Sequence, residues 1–188
     1  MEKKTGNLII ISAPSGAGKT TICKAVLNRF RNMEFSVSHT TRKLRGSEKE
    51  GIDYHFISEA KFNKKTKNGE WAEWAKVHGN YYGTSAKLLD NGLALGKNIL
   101  LDIDVQGAKQ IIKKYPNSIL VFIMPPSLSV LKKRLEQRAV DSAEVIKSRI
   151  KNAKQEIMHK DFYNHCIVND SLDFAVDELV AILEKYNG

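Results

Sequence analysis

Stretches that are apolar at every position alternate along this chain with stretches that are apolar at every third or fourth position. The first kind predicts strands buried on both faces, the second helices packed against them. Continuous runs at 7–12, 97–103 and 118–124 read as buried parallel strands, and 165–168 as a short last one. Helical spacing follows the first run at 20–30, where Ile22, Ala25, Val26 and Phe30 share a face that Cys23 can join. It recurs at 85–95, with Leu88, Leu89 and Leu93 together, and at 107–114, 127–138 and 144–159. Pro125-Pro126 closes the third strand, and Ser127 or Ser129 is a candidate cap for the helix after it. A charged span between the last two of these helices is a candidate mobile segment. The chain closes on an amphipathic helix at 172–186, with Phe174, Val176, Leu179, Val180 and Leu183 as its apolar side.

Between 34 and 84 the pattern changes. Short strand-like pieces at 35–38, 54–57, 73–77 and 80–82 are separated by polar loops and punctuated by Gly46, Gly51, Gly69, Gly79 and Gly83. This reads as a small mixed lobe inserted into the main sheet. Strands alternating with helices predict an α/β domain whose parallel sheet is covered on both faces. Ligands of such sheets bind at the carboxyl ends of the strands, which places the loop after residue 12, Asp102 and the Pro125 region on one edge.

The loop after the first strand carries chemistry. Ala13-Pro14-Ser15-Gly16-Ala17-Gly18-Lys19-Thr20-Thr21 ends as a phosphate-binding G-x-x-x-x-G-K-[ST] motif does, with Ala13 where the first Gly would stand. Small residues let backbone N–H groups turn inward around phosphate oxygens, and the helix behind them points its positive end the same way. Lys19 would reach the β- and γ-phosphates of a nucleoside triphosphate, and the Thr20 hydroxyl would help hold Mg²⁺. Asp102 ends an apolar strand, as a Mg²⁺ carboxylate beside such a loop does, and Asp104 shares its direction by strand period. A third group, Ser36 to Arg45, is basic and hydroxylic. Arg42 and Arg45 could clamp a second phosphate, with Tyr54 and Tyr82 donating to it; a surface hairpin with routine arginines is the alternative.

Composition narrows the class. With 188 residues, 42% hydrophobic and 27% charged, the chain fits one soluble globular domain. No apolar run approaches the roughly 20 residues of a membrane span, and no secretory leader stands at the start, so a cytoplasmic location is expected. Cys23 and Cys166 lack metal-type spacing and are expected as buried thiols. The net charge of +9 suggests anionic ligands. The densest basic run, 61–67, has no aromatic stripe beside it and is expected as a solvated helix face rather than a nucleic-acid patch.

Taken together, the stretches 12–20, 38–42, 51–56, 73–75, 79–84, 101–107 and 167–170 resemble the guanylate kinases along essentially the whole chain. The resemblance implies a P-loop core (1–35, 85–133 and 150–188), an inserted GMP-binding lobe (36–84) and a mobile lid (134–149). It implies transfer of the γ-phosphoryl group of ATP to GMP, or dGMP, with Mg²⁺. By position, Arg42, Arg45, Tyr54 and Tyr82 match the grip on the GMP phosphate, with Glu48 beside it. Ser38, Glu73 and Thr84 match the guanine readers, and Asp102 and Asp104 are expected to serve the GMP side, Asp102 also the metal. Lys19, Arg138 and Arg149 match the charge-stabilising set, while Arg134, Asn169 and Asp170 match contacts to ATP. Guanine chemistry agrees: a carboxylate can accept from both N1–H and N2–H, and a hydroxyl can donate to O6. The sequence departs from the family pattern at His39, at Lys43-Leu44 and at 137–142, where a Gly usual after the lid arginine is absent. None of the five histidines is needed as a base, since a nucleotide phosphate is already largely deprotonated near neutral pH. A catalytically dead binding module, a kinase for another nucleoside monophosphate and a nucleic-acid-dependent NTPase are the competing classes. Retention of Lys19, Arg138 and Arg149 argues against the first, and Glu73, Ser38 and Thr84 against the second.

Overall fold

A computed structural model describes residues 5–77, 79–137 and 142–186. In chain order the elements are β1 (Leu8–Ser12), α1 (Lys19–Leu27), β2 (Met33–Phe35), β3 (His39–Thr40), β4 (His55–Phe56), α2 (Glu59–Lys67), β5 (Trp71–Val77), β6 (Asn80–Ser85), α3 (Ala86–Ala94), β7 (Asn98–Asp102), α4 (Val105–Lys114), β8 (Ile119–Met124), α5 (Leu128–Gln137), α6 (Ala143–Ile157), β9 (His165–Val168) and α7 (Leu172–Glu184). The continuous apolar runs are strands β1, β7 and β8, in a five-stranded sheet of order β2-β7-β1-β8-β9. The β2–β7 and β8–β9 pairs are parallel. The side chains of Ile10, Ile11, Leu100, Leu101, Val121, Phe122 and Ile123 are fully buried, as strands covered on both faces require.

Contacts divide the chain into two compact units. One takes in the segment through Ile9, Asn32–Leu101 and Gln106–Ser118; the other takes in Ile10–Arg31, Asp102–Val105 and the chain from Ile119 onward.

In the first unit a second sheet has the order β4-β3-β6-β5. The strand expected at 35–38 is two strands instead. Phe35 ends β2, paired with Leu100 of β7, and His39 begins β3, paired with β4 and β6. Ser36 N–H still bonds Leu100 O, so the chain leaves one sheet and enters the other within three residues. The basic run is helix α2, whose buried side chain is Phe62, stacked on Trp71 and Tyr81. One apolar anchor is too weak a periodic signal to mark a helix, but Ser58 Oγ accepts from Lys61 N–H and starts it. The solvated face expected for the lysines is what the structure has.

In the second unit α5 and α6 pack through Leu131, Leu135, Ile146 and Ala153, and Ser127 Oγ accepts from Val130 N–H at the start of α5. Helix α7 buries Ala175, Val176, Leu179, Ile182 and Leu183. Phe174, expected on that face, is 79% exposed, because the stripe through 175, 176, 179, 182 and 183 lies one residue round the helix from it. The thiols also divide. Cys23 is buried as expected, whereas Cys166 is exposed at the sheet edge, and both are free. Among the described residues no helix is long and apolar enough to cross a membrane.

His39 is an unusual half-buried group of the first unit. It lies opposite His55 in the β3–β4 register, ring centroids 4.7 Å apart, with its edge to Trp71 at 5.1 Å. Its buried Nδ1 has no hydrogen-bond partner. Burial first, then His55, Lys65 and Lys61, hold its pKa at about 4, below the ordinary 6.5. Between those values the unfolded chain binds more protons than the fold, so stability rises with pH there and is lost as pH falls through 4. Replacing His39 by Phe should therefore move the acid-unfolding midpoint to lower pH, at a neutral-pH cost under about 1.5 kcal/mol. Circular dichroism against pH checks this; identical midpoints would clear His39 of any part in acid sensitivity.

Candidate active site

The candidate residues form two groups, one in each unit. In the second unit the chain leaves β1 into the loop 13–18. Ser12 Oγ donates to Ile103 O (2.8 Å), which fastens the end of β1. Ala17 N–H donates to Pro14 O (3.0 Å), folding the loop back on itself. Gly16 and Gly18 both have φ +95°, a conformation open to glycine. A Cβ on Gly18 would lie 2.3 Å from Asn169 Nδ2, and that amide donates to Ala17 O (2.7 Å). Gly18 thus supplies both the left-handed turn and the space for Asn169. Helix α1 begins at Lys19 with no side-chain cap and no acidic residue in its first turn. Its leading N–H groups and dipole are left to an anion. Thr20 and Thr21 are exposed on that turn.

Lys19 Nζ forms an ion pair with Asp102 at the end of β7. The surrounding electrostatics include a residue that sequence reasoning missed. Glu156 of α6, half-buried, has its pKa pushed up to about 7, chiefly by burial, with Asp104 adding to the rise and Lys19 opposing it. A glutamate on an amphipathic helix looks like any solvated residue, so no signal marked it. Arg149 Nη1 donates to Ser15 Oγ (3.1 Å), bringing α6 to the loop. Arg134 Nη2 donates to Asn169 O (2.9 Å), while its buried Nη1 has no hydrogen-bond partner. Asp170 follows, its N–H bonded to Val168 O. Arg138 lies outside the described residues.

In the first unit Arg42 is the centre. It is 8% exposed, and its guanidinium takes Glu48 bidentately, Nη2 to Oε1 at 2.7 Å and Nη1 to Oε2 at 2.9 Å. Nη1 also donates to Lys43 O (2.8 Å), and Nε to the Tyr82 hydroxyl (3.2 Å). Tyr54 lies under the guanidinium at 5.3 Å and meets Tyr82 edge-on at 5.8 Å. The Arg42 hydrogen bond, foremost, holds the Glu48 carboxyl below the ordinary range, helped by the Arg45 N–H at 2.9 Å. Arg42, Arg45, Glu48, Tyr54 and Tyr82 are therefore one constellation.

The other part of this unit's site is apolar in setting and polar at its tip. Glu73 of β5 and Thr84 of β6 are paired across the sheet and buried, and Thr84 Oγ1 donates to Glu73 Oε1 (2.6 Å). Ser38 is half-buried just before β3, its carbonyl accepting from His55 N–H (2.9 Å). Asp102 and Asp104, expected to serve this group as well, belong to the second unit with Lys19.

Thr20 and Asp102 are hard oxygen donors of the kind Mg²⁺ takes. Among the described residues no cluster of three or more His, Cys, Asp or Glu side chains could hold a metal alone.

A family model described as "Guanylate kinase" matches residues 5–186. A guanylate kinase of Carboxydothermus hydrogenoformans is 46% identical over 178 residues, covering 95% of this chain and 87% of the relative. One from Geobacter metallireducens is 47% identical over 181 residues, covering 96% and 89%. Among solved structures, a guanylate kinase from Anaplasma phagocytophilum superposes with a TM-score of 0.80 at 34% identity, covering 98% of this chain and 87% of the other.

Asn169→Ala removes the buried hydrogen bond to Ala17 O and should cost about 1–3 kcal/mol. The expected result is a lower Tm together with weaker nucleoside triphosphate binding. Unchanged melting and unchanged binding would show that the loop holds its shape without this residue.

Proposed function

The chain belongs to the guanylate kinase family, and from that premise we propose that it transfers the γ-phosphoryl group of ATP to GMP, giving ADP and GDP, with dGMP as a second acceptor. The observation that carries the choice of acceptor is the buried Glu73–Thr84 pair. A carboxylate there accepts from guanine N1–H and N2–H, while O6 takes its proton from the Ser38 hydroxyl or from that of Thr84, which would have to turn away from Glu73 to give its single proton to the base. Adenine would bring an unprotonated N1 to a buried carboxylate, and leaving such groups unpaired discriminates by about 10⁴-fold.

Both reacting groups are polyanions, so the protein's task is to hold and neutralise them. No proton need be removed from the acceptor phosphate. The loop N–H groups and Lys19 hold the ATP phosphates, and Arg149, already at Ser15, joins Lys19 in offsetting charge on the transferring group. Arg138 is assigned the same role from its match to the family. Arg134, Asn169 and Asp170 serve the ATP base. Thr20 and Asp102 would hold Mg²⁺, which would supply positive charge against the phosphates. Asp102 would then exchange its pairing with Lys19 for the metal.

Arg42, Arg45, Tyr54 and Tyr82 bind the GMP phosphate. Of the five N–H donors of Arg42, four are engaged by Tyr82, Lys43 and Glu48, so a phosphate is accepted partly in exchange for Glu48. The chain has no membrane-crossing helix among its described residues, and the substrates are those of the cytoplasm, where we place it.

Two substitutions test the reading. Lys19→Ala should lower kcat by about 10²-fold or more while leaving GMP affinity within a few-fold; near-normal turnover in a coupled ADP-release assay would remove the lysine from the phosphoryl site. Glu73→Gln should shrink the ratio of kcat/KM for GMP over AMP by about 100-fold, and a preserved ratio would mean the base is read elsewhere.

A further inference from the structure

Glu73 stands on β5, the outer strand of its sheet. An edge strand leaves alternate N–H and C=O groups without a neighbour and is the least constrained place in a sheet. The strand is also irregular at this point. Trp71 pairs with Ser85 and Glu73 with Thr84, so two steps on β5 match one on β6, and Ala72 is extra. A bulge of this kind kinks the strand and re-aims the side chains after it. A carboxylate that must meet two donors of one base is thus carried by a bulged edge.

Two side chains of α4 close that edge. Trp74 N–H donates to Gln110 Oε1 (3.2 Å), and Gln110 Nε2 donates to Trp74 O (2.8 Å). One primary amide makes with one residue of β5 the reciprocal pair of bonds that a further strand would make. Lys114, one helical turn beyond Gln110, donates from Nζ to Trp71 O (2.7 Å). The bonds fall on both sides of Glu73, two residues before it and one after. Successive strand residues face opposite ways, so fixing the backbone of Trp74 fixes the direction of Glu73 while Trp74 itself stays 38% exposed.

We propose that Gln110, supported by Lys114, is a specificity-determining positioning residue: it stands in for a fifth strand, holds the bulged segment 71–74 and thereby sets the aim of Glu73 at guanine. The proposal rests on the reading of Glu73 as the base reader.

Steady-state kinetics of the whole enzyme test it, with GMP and with IMP, which lacks the 2-amino group. Gln110→Ala should raise KM for GMP by roughly tenfold, since small misplacements in a site cost up to about 10²-fold. KM for ATP and kcat at saturating GMP should stay within about twofold of wild type, and the preference for GMP over IMP should fall. Gln110→Glu loses the donor to Trp74 O and should behave like the alanine variant. Lys114→Met keeps the stem without the donor and should shift the same parameters by less. Lys113→Ala, on the exposed side of the same helix, should match wild type. A merely structural role would lower Tm, or raise both KM values, with the GMP-to-IMP ratio intact, and that result overturns the proposal. So does an unchanged KM for GMP in both Gln110→Ala and Lys114→Met. If Glu73→Gln leaves base selectivity untouched, the reading beneath falls and the proposal with it; if Glu73→Gln erodes selectivity and Gln110→Ala does not, the proposal alone falls.

Discussion

The hydrogen bond from the Asn169 amide to the Ala17 carbonyl joins residues 152 apart and ties the loop 13–18 to the end of β9. A loop that turns its N–H groups toward a ligand must send its carbonyls elsewhere, and Ala17 is wholly buried, so that carbonyl needs a partner inside the protein. Asn169 can supply it because its own backbone is held: its N–H bonds Met124 O at the end of β8, and Arg134 of α5 bonds its carbonyl. Gly18 must then lack a side chain, since any Cβ would collide with the amide. A strand end, a helix side chain and a glycine are thus tied to one bond.

Two of the cations that would meet phosphate are paired with a carboxylate of the same unit, Lys19 with Asp102 and Arg42 with Glu48. The physical reason is clearest at Arg42, which is too buried to stand unpaired at reasonable cost. On the proposed reading, phosphate binding at both places would be an exchange of anions. Its strength would be the difference between two good pairings, which suits substrates that must be released after each turnover.

Much of this was legible beforehand. The alternation of continuous apolar runs with helical spacing led to β1, β7, β8, α1 and α3 to α7 with boundaries mostly within one to three residues, because burial on two faces leaves a signature that does not depend on partners. The loop 13–20 was legible for a similar reason: its function demands small residues and a lysine next to each other in the chain. The lobe was less so. A two-residue strand such as β3 carries no period, and α2 hangs on Phe62 alone.

By itself, then, the sequence determined the fold class and the small-residue loop at 13–20, since both follow from local pattern, while Arg42, Glu73 and Thr84 came forward together as candidates through the resemblance to the family. Tertiary structure decided what those side chains do to one another. That Glu48 occupies Arg42, that Glu156 is drawn into the field of Lys19, that Phe174 and Cys166 face solvent, and that Gln110 completes the edge beside Glu73 are all set by pairings between distant segments. A glutamine on a helix and a glutamate on a helix look alike to any periodicity; only the strand or lysine brought against them gives each its role.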